Sequence, residues 1–409
     1  MKNKVFFLLV SLSSIFSIDG QRYPHAYPNY NFLEQEQNII DVFGTERWNS
    51  LLEKIHLQWT EGSQKVNIVH FGGSHIQADI WSNRMRQNFQ NISPFNNTGR
   101  GMVFPFRVIH SNGSPYLKTE NTGQWKGSRN AVRKHRPPFG LMGARADLLD
   151  SMAEIQIWEN PNHCKDCVFD QIDLFVADTS KSYCVEITND TLEWRKENDT
   201  TGVYTFKLSK PIDSLSLKIT KQDTSPSVFS LYGFKLQNNN NGISYHSVGV
   251  NGASVPSYLK CQFLPIQLET IKPDLVIFSI GINDAYSPGF SKQKFIHNYD
   301  SLIQIVRNIN PQAAILFTTN NDSYYKRKLP NKRGIVVKEA MYELAKKHNC
   351  SVWDLFEVMG GLNSISIWQK NGLAKKDKIH LTPDGYKLVG DLLFEAFLSS
   401  YKNYIINNG

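Results

Sequence analysis

The sequence predicts an α/β fold: a parallel sheet with helices on both faces, interrupted by an inserted antiparallel β-sandwich. Three observations predict it. Before residue 107 and after residue 242, apolar strand-like runs alternate with helical stretches, the pattern of a parallel sheet covered by helices. Between them the texture changes to short alternating runs punctuated by Asn, Asp, Ser, Gly and Pro, the pattern of an antiparallel sandwich. The polar stretch QNNNNG at 237–242 then marks the return to the first texture.

The elements follow in order. Residues 31–60 read as helical, because Leu51, Leu52, Ile55 and Trp59 recur at helical spacing. A strand at about 66–71 leads into His70-Phe71-Gly72-Gly73-Ser74-His75, and a helix runs from there to about residue 90. GRGMVFPF at 99–106 closes this portion. The insert carries AEIQIW, QIDLFVAD, SYCVEIT, GVYTFKL, LSLKIT and VFSLYGFKL, each a short strand. After it, ISYHSVGV is a strand, and PDLVIFSI is a continuous apolar strand of the kind buried on both faces. FIHNYDSLIQIVRNI is a helix, AAILFTT a strand, VVKEAMYELAKKH a helix and SVWDLF a strand. A final helix begins at Pro383, a residue favoured at a first helical position. The expected division is a signal segment at 1–20, a first α/β part at 21–106, the sandwich at 107–242 and a second α/β part at 243–409.

Composition narrows the class. With 409 residues, 41% hydrophobic and 12% aromatic, the chain suits two packed domains rather than a disordered polymer. The first twenty residues hold Lys2 and Lys4, then an apolar run too short to span a bilayer, then a polar break. That is the form of a secretory signal peptide, with cleavage expected near Gly20. No later run is apolar for long enough to cross a membrane. The expectation is an exported protein, periplasmic or extracellular, without a membrane span in its mature chain. The formal charge of +8 falls to +7 once Lys2, Lys4 and Asp19 are removed. For an exported chain, a basic surface points to an anionic polymer or a membrane surface rather than to nucleic acid. Most basic residues are scattered and read as solvated surface; the denser runs are YYKRKLPNKR at 324–333 and LAKKDK at 373–378. Five cysteines do not make a disulfide framework. HCKDC is half of a zinc pattern without its other half, so no metal site is expected. A disulfide within Cys164, Cys167 and Cys184 fits an oxidising compartment.

In a parallel sheet, functional groups gather in the loops at the carboxyl ends of the strands. After the first strand comes Ser74, after the second Gly252, after the third Asn283 and Asp284, and before the last helix DKIH with Asp377 and His380. Ester hydrolysis needs a nucleophile, a base, an orienting carboxylate and donors for the oxyanion. Ser74 suits the first role, His380 the second and Asp377 the third. The backbone N–H groups of Ser74 and Gly252 and the Asn283 amide suit the last. Each residue alone also has a plainer reading. A serine at a helix start caps it, and Gly252, Asn283 and Asp284 suit turns. His75, Gln77 and Asp79 read as helix-start and packing residues, and Arg100 as one side of an ion pair.

The order serine, glycine, asparagine, histidine, with Gly-Ile-Asn-Asp and Asp-Lys-Ile-His around the last two, resembles the SGNH hydrolases, also called GDSL esterases. The resemblance implies a flavodoxin-like sheet and an acyl-enzyme on Ser74, without a cofactor. One position departs from the pattern: Gly73 stands where that family usually has aspartate. The α/β-hydrolase elbow, Gly-x-Ser-x-Gly, fits less well, because Ile76 occupies its last glycine. Export and the insert resemble the peptidoglycan O-acetylesterases, in which a carbohydrate-binding domain interrupts the SGNH domain. That resemblance implies an acetylated cell-wall or extracellular glycan as substrate, with Trp125, Trp158 and Trp194 as candidates for sugar stacking. Two alternatives stand beside it: a polysaccharide O-acetyltransferase using the same three residues, and a glycan-binding protein whose catalytic site has decayed.

Overall fold

The computed structural model describes residues 27–94, 98–160, 168–178, 181–188, 192–198 and 202–408. The expected signal segment and the Cys164–Cys167 pair lie outside the described residues.

Six strands form the central sheet: β1 (Ile40–Val42), β2 (Lys65–Gly72), β3 (Gly242–Gly249), β4 (Leu275–Ser279), β5 (Ala314–Thr318) and β6 (Ser351–Trp353), in the spatial order β1-β6-β5-β4-β2-β3. The last five are mutually parallel, while β1 lies antiparallel on β6, with Ile40 opposite Trp353. Taken alone, the parallel strands have the flavodoxin-like order, which reverses between β2 and β4. Gly72 pairs with Gly249 on one side and Ser279 on the other, so the carboxyl ends of β3, β2 and β4 stand level.

Both faces of this sheet are covered. Val66 and Ile68 pack on one side with Trp48, Leu51, Leu52 and Ile55 of helix α1 (Thr45–Glu61). Val69 and Phe71, of opposite parity, enter the other core with Tyr299 and Val306. That alternation is why β2 carries apolar side chains of both parities, Val66 and Ile68 on one face and Val69 and Phe71 on the other. The predicted helix over 31–60 is shorter than the spacing suggests: it starts at Thr45, and the edge strand β1 precedes it. A three-residue strand shows too little alternation to stand out in sequence.

The insert is two antiparallel sheets packed face to face. One has four strands, 117–121, 152–159, 214–221 and 183–187. The other is built around Phe229–Gln237, and Gly101–Val103 pairs onto that strand. In the smaller sheet Ala153, Ile155 and Ile157 alternate inward, as do Leu215, Leu217 and Ile219. Their core is continuous with the β2 face carrying Val69 and Phe71, so the sandwich is packed onto the α/β part rather than tethered to it. The junction also holds buried charge. Asp79, at the start of α3 (Ile80–Gln90), pairs with Arg100 and, at 3.5 Å, with Arg86. Arg100 reaches Glu159 of the sandwich at 3.5 Å. Burial pushes the Asp79 carboxyl up, but Arg100 and Arg86 outweigh it and hold the group below its ordinary range. Arg100 is thus a structural cation, as its sequence context suggests.

Candidate active site

The chain turns sharply after β2. Gly73 precedes a single helical turn, α2 (Ser74–Gln77), whose first residue places Ser74 half-buried at the level of the strand ends. Ser74 Oγ lies 2.8 Å from His380 Nε2. His380 Nδ1 lies 2.8 Å from Asp377 Oδ2. Asp377 Oδ1 accepts the backbone N–H groups of Ile379 and His380, both at 3.0 Å. Burial raises this carboxyl, and the hydrogen bonds from His380 and Ile379 more than reverse it, so it sits below its ordinary value and stays ionised. An ionised carboxylate on Nδ1 keeps the proton there and leaves Nε2 free to accept from the serine.

A second imidazole supports the first. The His75 ring lies against that of His380 with centroids 5.2 Å apart, and its Nδ1 is 2.8 Å from the Tyr386 hydroxyl. Burial, followed by the neighbouring His380, pushes His75 down to about 3. It is therefore a neutral wall, in keeping with its reading as a packing residue.

The loop after β3 brings Gly252 to the same crevice. Its φ is +81°, and a β-carbon there would meet only Ala131, at 3.7 Å. The glycine is required by its left-handed backbone rather than by crowding. Among the described residues, no acceptor takes the backbone N–H of Ser74 or Gly252.

Helix α4 (Val255–Tyr258) follows this loop, and α5 (Ile282–Tyr286) follows β4. Asn283 Nδ2 donates to Ala253 O at 2.9 Å. Asp284 accepts the Val255 N–H at 3.2 and 3.3 Å. Burial pushes the Asp284 carboxyl up to about 7, against the pull of its backbone hydrogen bonds. The two residues of the Gly-Ile-Asn-Asp pattern therefore hold the Gly252 loop, and the Asn283 amide keeps a second N–H. A β-carbon on Gly73 would come within 3.0 Å of that same nitrogen and 3.4 Å of Ala253 O. Glycine at 73 leaves the amide its place.

Ser74, His380 and Asp377 thus form one hydrogen-bonded file at the point where the strand order reverses, and Asn283 stands beside it, against Gly73 and Ala253 of the Gly252 loop. A role that sequence reasoning missed belongs to Gln77. Its Oε1 accepts the Asn251 N–H at 2.6 Å, and its Nε2 donates to Asn112 O at 2.7 Å and to Ser111 Oγ at 3.1 Å. It ties the Gly252 loop to the segment leading into the sandwich. Its partners stand far off in sequence, so no local pattern reveals it. The three tryptophans do not share one setting: Trp194 is exposed, while Trp125 and Trp158 are half-buried.

Comparison with known proteins agrees with this geometry. Residues 219–388 match the GDSL-like Lipase/Acylhydrolase family. A solved structure of a peptidoglycan O-acetylesterase superposes with a TM-score of 0.73 at 18% identity, over 89% of this chain and 99% of that one. A carbohydrate esterase family 3 protein from Talaromyces cellulolyticus is alike over 39% of this chain and 73% of its own, at 14% identity and a TM-score of 0.31. No curated protein matches the chain. Residues 219–388 thus resemble the GDSL-like lipase/acylhydrolase family, and the chain shares its fold with the peptidoglycan O-acetylesterase structure.

Proposed function

We propose that the chain is an exported serine esterase that removes O-acetyl or other short acyl groups from a cell-wall or extracellular polysaccharide. The hydrogen-bonded file from Ser74 through His380 to Asp377, facing two unused backbone N–H groups and the Asn283 amide, carries the reading. In the forward step His380 Nε2 takes the Ser74 proton as Oγ attacks the acyl carbonyl. The oxyanion forms between the N–H groups of Ser74 and Gly252 and Asn283 Nδ2. As the carbonyl re-forms, the sugar oxygen leaves with the proton from His380, and an acyl-enzyme remains on Ser74. A water then gives its proton to His380 and attacks the acyl carbonyl. Release of the acid returns the proton to Ser74.

The glycan part of the proposal draws on the fold shared with a peptidoglycan O-acetylesterase over 89% of this chain. It also draws on the half-exposed site, where His380 and Asp377 are 33% and 23% exposed, open enough for a group on a polymer. Export rests on the N-terminal pattern; among the described residues no helix is long and apolar enough to cross a membrane. The test is acetate release from acetylated peptidoglycan and from acetylated xylan by wild type and Ser74→Ala. Release by wild type alone supports the reading. Acetyl transfer to an added sugar in place of release would turn it to the acyltransferase. Retained polymer binding without either reaction would turn it to the binding protein.

A further inference from the structure

The two basic runs of the sequence lie about fifty residues apart, yet the fold brings them together beside His380. Tyr324–Tyr325 and Leu329–Pro330 pair as a small hairpin. The Tyr324 N–H donates to Lys378 O at 2.9 Å, and Lys378 Nζ sits 4.1 Å from the centre of the Tyr324 ring. Asn321 Nδ2 donates to Ile379 O at 3.0 Å, and the Lys375 N–H to His380 O at 2.8 Å. The hairpin and the Asp377–His380 turn are thus one hydrogen-bonded unit.

Its tip is exposed at Lys326, Arg327 and Lys328, and the adjoining turn is exposed at Lys375 and Lys376. Among the described residues none of these five cations has an acidic partner, although Lys292, Lys338 and Lys347 elsewhere on the surface do. Half-exposed aromatic rings flank them: Tyr325 lies 5.0 Å from Tyr286, with Arg333 over it at 5.6 Å. The backbone is held at a cost as well. Lys326, Arg327 and Lys378 all have left-handed φ values of 50–60°, where asparagine or glycine is the easier choice. A two-residue left-handed turn built from Lys-Arg spends local stability to present side-chain charge.

We infer that this basic, aromatic-backed rim is the polymer-binding subsite of the crevice, and that its ligand is a polysaccharide carrying carboxylates. The inference rests on the esterase reading for its direction: the rim would hold an anionic strand so that an acyl group on it reaches Ser74. Cations without an acidic partner raise the local concentration of a polyanion and are screened by salt, and rings beside them, such as Tyr325 under Lys326 at 5.5 Å, suit the apolar faces of sugars.

Binding is measured in Ser74→Ala protein, so that no turnover interferes, against polygalacturonate, isolated peptidoglycan and neutral xylan. Polygalacturonate carries its carboxylates on the sugar and peptidoglycan mainly on its peptides, so the two separate the sources. The rim variant combines Lys326→Asn and Arg327→Asn, which suit left-handed backbone, with Lys328→Gln, Lys375→Gln and Lys376→Gln. The expected result is that at least one carboxylate polymer binds about tenfold more tightly than xylan at low salt. That preference is lost in the rim variant, and in the intact rim at about 0.5 M salt, where the screening length is only a few ångströms. The salt comparison and a variant limited to Lys375→Gln and Lys376→Gln keep the test valid if the hairpin of the full variant unfolds. Equal binding of all three polymers, a salt-independent preference, or tighter binding of single-stranded oligonucleotide would overturn the inference. Hydrolysis of p-nitrophenyl acetate by wild type is measured alongside. Its absence, with the polymer preference intact, would remove the esterase reading and leave the rim standing.

Discussion

Asn283 spends one N–H of its amide on Ala253 O and, in the proposed mechanism, offers the other to the oxyanion. Removing the amide should therefore act on the transition state more than on substrate binding. Asn283→Ala is expected to lower kcat by about 10²–10³-fold with a small change in KM; steady-state kinetics on a soluble ester would check it, and a change confined to KM would contradict it. Its neighbour Asp284 gives a pH signature. The carboxyl titrates near 7 when folded and near 4 when unfolded. Between these values the native state binds more protons than the unfolded state, so this group's contribution to stability falls as pH rises from about 4 to about 7. The stability of wild type minus that of Asp284→Asn, from urea unfolding, should decline across that window. A difference that stays flat would show that burial does not raise this carboxyl.

At the scale of the elements, the site depends on three loops that begin level because β3, β2 and β4 end in register at Gly249, Gly72 and Ser279. Gln77 adds the cross-tie between the Gly252 loop and residues 111–112. Gln77→Met should leave the Asn251 N–H without its acceptor, a loss of about 1–3 kcal/mol, and lower kcat more than it raises KM. Gln77→Glu keeps the acceptor but sets its other oxygen against Asn112 O, so it should recover kcat, relative to wild type, only at acid pH, where a protonated carboxyl can still donate there. Recovery that does not depend on pH would show that the donor side, to Asn112, carries no weight. This element-level wiring marks the limit of what the sequence shows. Strand–helix alternation and the residues following each strand were legible because β2 and β4 are apolar on both faces and end at Gly72 and Ser279, where helices begin. The edge strand β1 is too short to show a period. Gln77 and the convergence of the two basic runs depend on contacts between residues far apart in sequence, which no local spacing records.

For the whole molecule, the question is what fixes the sandwich against the crevice. The shared apolar core does most of it, and the buried set of Asp79, Arg86, Arg100 and Glu159 adds orientation. Glu159 is the less settled member, since burial outweighs Arg100 and raises its carboxyl. Arg100→Met would leave the buried Asp79 with Arg86 as its only cation, beside the Ser82 and Ser114 hydroxyls. A loss of about 3–5 kcal/mol at neutral pH is expected, read as a lower urea midpoint. A loss under about 1 kcal/mol, the level of an exposed pair, would show that the junction is solvated.

The central claim is that acyl groups pass through Ser74. The most direct test is acetate release from acetylated peptidoglycan and acetylated xylan by folded wild type and folded Ser74→Ala side by side. The account predicts release by wild type from at least one polymer and none above background by Ser74→Ala. Equal release by the two proteins would contradict it.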